Sequence, residues 1–160
     1  MSRRKADPQL FRVSIAESEE EIGDCYETMR ALRIELDCRE TFVAQVKRQQ
    51  KNYGYVLLTA LSHDGSVVGV AGFRPQENLM HGLHFYVDDL VTIEAWRNRG
   101  IGASLMEAVI KRACASGYGK ILLDTGRLNE AAHRFYAGLG FSVKALRFSL
   151  DLAYGSSIGI

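Results

Sequence analysis

The chain is 160 residues long, with 47% hydrophobic residues, 24% charged residues and a formal net charge of +1. Such a length fits one domain that can bury a core without disulfide or metal staples, and the near-neutral charge excludes a general nucleic-acid or membrane-surface binder. No apolar run approaches the roughly 18 residues of a membrane span, and MSRRKADPQL has no apolar stretch behind its basic start, so neither a transmembrane helix nor a secretory signal is expected.

Residues 10–16 alternate apolar and polar, which predicts a strand. Ser18 with Glu21 three residues on is a capping box. Ile22, Cys25, Tyr26, Met29, Leu32 and Leu36 continue from it at helical spacing, and a second helix carries Phe42, Val43 and Val46. From Tyr53 the period shortens. YVLLTALS and VVGVAGF predict two strands joined by a hairpin turn at HDG, residues 63–65. Gly69 and Gly72 in the returning strand point to close packing or a bend. A longer strand covers residues 83–93, and a helix with Leu105, Met106, Val109 and Ile110 on its stripe runs from about 100 to 116. KILLDT is a short strand. A helix follows, with Asn129 at its cap and Gly140 at its stop, and FSVKALRFSLDL closes as an alternating strand. Residues 1–8 and 153–160 are expected to be flexible tails on a single domain, 1–160.

This order predicts an α/β fold: a mixed, mostly antiparallel central sheet of about six or seven strands with helices on both faces. The cysteines, Cys25, Cys38 and Cys114, are odd in number and form no Cys-x-x-Cys. That favours reduced thiols in a cytoplasmic protein over disulfides or a bound metal.

The stretch RNRGIG, residues 97–102, directly follows a strand and opens a helix. First-turn helix amides lack intrahelical partners and carry the positive end of the dipole. Gly100 and Gly102 let a ligand approach the backbone, and Arg97 and Arg99 bring fork-shaped donors suited to phosphate. Taken alone, the stretch is equally a phosphate cradle or a solvated turn. It is not a P-loop, because no Gly-Lys-Ser/Thr follows, nor G-x-G-x-x-G, because position 105 is Leu105.

Two blocks together resemble the GNAT superfamily of acetyl-CoA-dependent N-acetyltransferases. DDLVTIEAWRNRGIGASL is similar to the family's strand and its Arg/Gln-x-x-Gly-x-Gly/Ala loop, with Arg97, Gly100 and Gly102 on the motif positions. LLDTGRLNEAAHRFYAGLGF is similar to the family's later block, with Asn129, Phe135, Tyr136, Gly140 and Phe141 matching. The motifs cover about residues 88–141, and the front half fits by element order.

The resemblance implies a GNAT-like fold and acetyl transfer from acetyl-CoA to a primary amine, on a small molecule or a protein, by direct transfer in a ternary complex. It implies that the backbone of Arg99, Gly100, Ile101, Gly102, Ala103 and Ser104, helped by Arg97 and Asn98, holds the pyrophosphate. The main chain of Leu90, Val91 and Thr92 would meet the pantetheine arm, with the Leu90 N–H on the thioester oxygen. Asn129 would bond the arm while also capping its helix, and Tyr136 would be the general acid, its alternative being a core aromatic like Phe135. The family's frequent strand Glu falls at Tyr86 here, a departure that leaves the general base open. Strand alternation puts Asp88 on one face with His84, Tyr86 and Leu90, and Asp89 on the other. Asp88, acting through water, is therefore the candidate, with His84 and His81 as alternatives. No cysteine stands at a nucleophile position in the matched motifs, which disfavours a covalent route. A non-catalytic acyl-CoA-binding sensor is the runner-up function, and a nucleotide-phosphate module is a third. No metal, nucleic acid or membrane is expected, and a homodimer is left open.

Overall fold

The computed structural model describes residues 10–152; the expected tails, 1–8 and 153–160, lie outside them. The chain divides into two units, Met1–Leu123 and Asp124–Ile160. In the first unit, the alternating and apolar runs become β1 (Phe11–Ile15), β2 (Val56–Ser62), β3 (Val67–Asn78), β4 (Gly82–Thr92) and β5 (Ile121–Leu123). These strands lie side by side in chain order. Every neighbouring pair is antiparallel except β4 and β5, which run parallel. The mixed, mostly antiparallel sheet therefore has the expected character, but five strands rather than six or seven.

The missing strand is FSVKALRFSLDL, in the second unit. Residues 141–152 form no regular structure, and Val143, Leu146, Phe148 and Leu150 stay 72–91% exposed. Alternation creates an apolar face, but a strand also needs a neighbour to take its amides and carbonyls. This run has no ladder partner among the described residues.

The first helical run is also corrected. The capping box forms as expected, with the Glu21 amide donating to Ser18 Oγ at 3.1 Å and the Ser18 amide donating to Glu21 Oε2 at 2.9 Å. The helix then breaks at buried Cys25 into α1 (Glu19–Asp24) and α2 (Tyr26–Arg30). The Cys25 amide donates to the Ile22 carbonyl, a tightened last turn, and the Arg33 amide closes the end of α2 on the Met29 carbonyl. Leaving the helix before Leu32 lets Arg33 turn towards β4, where it bonds Asp88 and Asp89.

α3 (Arg39–Tyr53) and α4 (Ile101–Ala115) complete the first unit. Ile22, Cys25, Tyr26, Met29, Phe42 and Val46 pack with Tyr55, Leu57, Val70 and Val91 on one face of the sheet. α4 covers the other face, so helices on both faces hold. Its approach explains Gly69: a Cβ there would stand 2.7 Å from Ile101 Cγ2. Gly72 is tighter still, since a Cβ there would overlap Tyr55 Oη. Gly72→Ala should therefore cost about 1–3 kcal/mol of stability through overpacking, read as a lower denaturant midpoint at unchanged slope.

In the second unit, α5 (Glu130–Gly138) starts at Asn129, whose Oδ1 accepts the Ala132 amide at 3.0 Å. It stops ahead of Gly140, at φ 93°. All three cysteines are free, and among the described residues no helix is long and apolar enough to cross a membrane.

Candidate functional site

β4 begins as a regular partner of β3, with Tyr86 opposite Arg74 and Val87 opposite Phe73. The register then shifts, and the next β3 residue, Gly72, pairs with Asp89. Asp88 is the extra residue of a β-bulge. Gly72 and Arg74 lie two apart on one strand and so share a face. Arg74 reaches Tyr86 and Asp88 on that face, with its guanidinium 5.5 Å from the Tyr86 ring centre. The Cβ position of Gly72 faces Asp89 Oδ2 at 2.9 Å. Asp88 and Asp89 thus open on the same face, and Leu90 falls on the opposite one. This corrects the plain alternation expected from the sequence, which put Asp89 across from Asp88 and kept Leu90 beside it. The extra residue resets the phase.

The bulge also redirects the backbone. The Ile93 amide donates inward to the Val68 carbonyl at 3.1 Å. Alternation back from there turns the Leu90 and Thr92 amides to the outer edge of β4. Before the bulge the phase is the other one, since the Phe85 amide donates outward to the Lys120 carbonyl. β5 pairs only with Phe85, Tyr86 and Val87. Beyond Val87, therefore, β4 has no strand on its outer edge among the described residues.

The chain leaves Thr92 through a short 3-10 turn, Glu94–Trp96, and reaches the glycine loop. Asn98 takes a left-handed φ of 61°, and Gly100, the N-cap of α4, takes 83°. Gly100 has no side chain to cap the helix, and no other side chain does so. The Ser104 amide is the first to find a helical acceptor, the Gly100 carbonyl. The Ile101, Gly102 and Ala103 amides therefore stand at the positive end of a fifteen-residue helix without an intrahelical acceptor. Arg97, Asn98 and Arg99 are exposed beside them. Arg99 lies over the Trp96 indole, 4.9 Å from its centre, which orders one guanidinium at the loop. Bare amides, a helix dipole and two arginines fit a pyrophosphate.

Both Asp88 carboxylate oxygens accept from Arg74, at 2.9 and 3.1 Å. Burial pushes the Asp88 pKa up, and the Arg74 cation opposes that push without cancelling it. Asp89 accepts from Arg33 Nε at 2.8 Å and from the Tyr55 hydroxyl at 2.9 Å. His84 is fully buried and bonds the Gly82 carbonyl through Nδ1. Burial pushes the Cys25 thiol up to about 12, with help from Asp24 and Glu21, which leaves it inert as a nucleophile.

The second unit carries Asn129 and Tyr136. Capping occupies Asn129 Oδ1 and leaves its amide nitrogen as a donor. Tyr136 packs against Phe135 and Phe141, with ring centres at 5.1 and 5.8 Å, and burial holds its hydroxyl above the usual tyrosine range. Arg33, Tyr55 and Arg74 did not emerge from sequence reading. Gly72, marked as a place of close packing, was the only local sign of the bulge.

A model of the acetyltransferase (GNAT) family matches residues 17–141. YhdJ of Bacillus subtilis (strain 168), an uncharacterized N-acetyltransferase, is 31% identical over 132 residues, which span 82% of this chain and 92% of that protein. Among solved structures, an acetyltransferase of Trypanosoma brucei superposes with a TM-score of 0.76 at 21% identity, over 89% of this chain and 99% of that one. Glucosamine-6-phosphate N-acetyltransferase from Arabidopsis thaliana gives 0.73 at 18% identity, over 89% and 99%. Identities this low speak for the fold alone.

Proposed function

Since this chain belongs to the acetyltransferase (GNAT) family, we propose that it is an acetyl-CoA-dependent N-acetyltransferase acting on a primary amine by direct transfer in a ternary complex. The observation that carries this reading is the uncapped N-terminus of α4, set behind a strand whose outer edge β5 leaves open. Bound acetyl-CoA supplies an activated acetyl thioester. The Ile101, Gly102 and Ala103 amides, continuing to Ser104 and helped by Arg97, Asn98 and Arg99, hold the pyrophosphate. The Leu90 N–H donates to the thioester oxygen, where negative charge develops. Val91 and Thr92 guide the arm through their main chain, and Asn129 donates to it.

Asp88 takes the proton of the attacking amine through a water. Its raised pKa makes it a stronger base than an ordinary carboxylate. Tyr136 gives its hydroxyl proton to the departing sulfur as the carbon–sulfur bond breaks, and regains it from solvent. The products are an acetylated amine and a free thiol.

The acceptor is a primary amine, on a small molecule or on a protein. Three free thiols support a reducing, cytoplasmic setting. Calorimetric titration with acetyl-CoA tests the cradle. Gly102→Val should weaken binding about tenfold or more by placing a branched side chain among the first-turn amides, and Arg99→Ala should weaken it several-fold by removing a charge-assisted donor. Unchanged affinity in Gly102→Val contradicts the assignment.

A further inference from the structure

A bulge is a soft feature unless something holds it. If β4 slipped back by one residue, plain alternation would return and the Leu90 amide would turn inward to β3. Two side chains from distant parts of the chain oppose that slip through three hydrogen bonds. Tyr55, between α3 and β2, donates from Oη to Asp89 Oδ2 at 2.9 Å. Arg33, after α2, donates from Nε to Asp89 Oδ1 at 2.8 Å. Its Nη2 donates to the main-chain carbonyl of Asp88, the extra residue itself, at 2.7 Å. Both oxygens of Asp89 are therefore engaged, and the bulge carbonyl is tied to the same guanidinium.

The opposite strand is shaped for this arrangement. Gly72 leaves the space that Tyr55 Oη fills. Tyr55 is only 5% exposed, and burial, reinforced by the Asp89 charge, keeps the phenol a protonated donor. Asp89 itself is 13% exposed, so water competes little for these bonds.

Resting on the acetyl-transfer reading, we infer that Arg33, Asp89 and Tyr55 are positioning residues that lock the β4 bulge and thereby aim the Leu90 amide at the thioester oxygen. None of them touches the reacting atoms. Their contribution is the direction in which one backbone donor points.

Hydrogen exchange by mass spectrometry across residues 88–93, without acetyl-CoA, together with steady-state kinetics of Tyr55→Phe and Arg33→Lys, tests the lock. In Tyr55→Phe this segment should exchange about tenfold faster while the rest of the sheet keeps its protection. Its kcat should fall about tenfold with KM for acetyl-CoA within about twofold, because a misaimed donor costs rate while the pyrophosphate cradle is untouched. Arg33→Lys keeps the charge on Asp89 but loses the fork to Asp88, and should fall between wild type and Tyr55→Phe. Wild-type exchange and kcat in Tyr55→Phe overturn the inference. So does faster exchange throughout the sheet with a lowered melting temperature, which marks a merely structural role. If the wild-type protein shows no amine-dependent turnover, the acetyl-transfer reading fails, and the exchange data alone still decide whether the lock exists.

Discussion

Tyr136→Phe should lower kcat by about a hundredfold, within the usual range for loss of a general acid, and leave acetyl-CoA affinity within about twofold of wild type. The split follows from what the substitution removes. The ring stays, with its contacts to Phe135 and Phe141, and only the proton is lost. A thiolate is a strongly basic leaving group, so a phenol held in its protonated form by burial still has a proton to give. Stopped-flow detection of thiol release reads kcat, and calorimetry reads affinity. Equal losses in both would make Tyr136 a packing residue, and unchanged turnover would remove it from the mechanism.

Asp88→Asn should lower kcat/KM by about a hundredfold near neutral pH and abolish the acidic limb of its pH profile. The direction of that limb follows from the carboxyl's environment. A base works deprotonated, so kcat/KM falls as pH drops through the Asp88 pKa. Burial raises that pKa above the ordinary aspartate value, and the Arg74 cation pulls it partly back. Arg74→Met removes the pull, so the pKa climbs further and the acidic limb moves to higher pH. A limb that stays put in Arg74→Met, or that survives in Asp88→Asn, assigns the base to another group. His84 is then the first to examine, although it is fully buried and already bonds Gly82 through one nitrogen.

What could be read from the sequence was what is local. The capping box at Ser18 and Glu21, the hairpin at residues 63–65 and the glycine loop at residues 97–102 each lie within a few residues and carry their own geometry. The bulge was not legible because its cause is spread along the chain. Arg33 reaches Asp89 across 56 residues and Tyr55 reaches it across 34. Period-two counting has no way to register one extra residue, so it put Asp89 on the wrong face and Leu90 beside Asp88. The same counting made a strand of FSVKALRFSLDL. Alternation describes two faces and cannot supply the neighbouring strand that would make them matter. The first helix failed for a third reason: its apolar spacing is real, but the chain breaks at Cys25 and again before Leu32, and the second break frees Arg33 for the sheet.

The α4 cradle and the β4 edge are proposed to serve acetyl transfer and not mere binding of an acyl-CoA. Release of free thiol from acetyl-CoA, followed with and without a panel of primary amines including amino sugars, tests it most directly. Thiol release should depend on at least one amine, be matched mole for mole by acetylated product, and be strongly reduced in Tyr136→Phe and Asp88→Asn. Tight acetyl-CoA binding with no amine-dependent release across the panel would contradict it and make the protein a sensor.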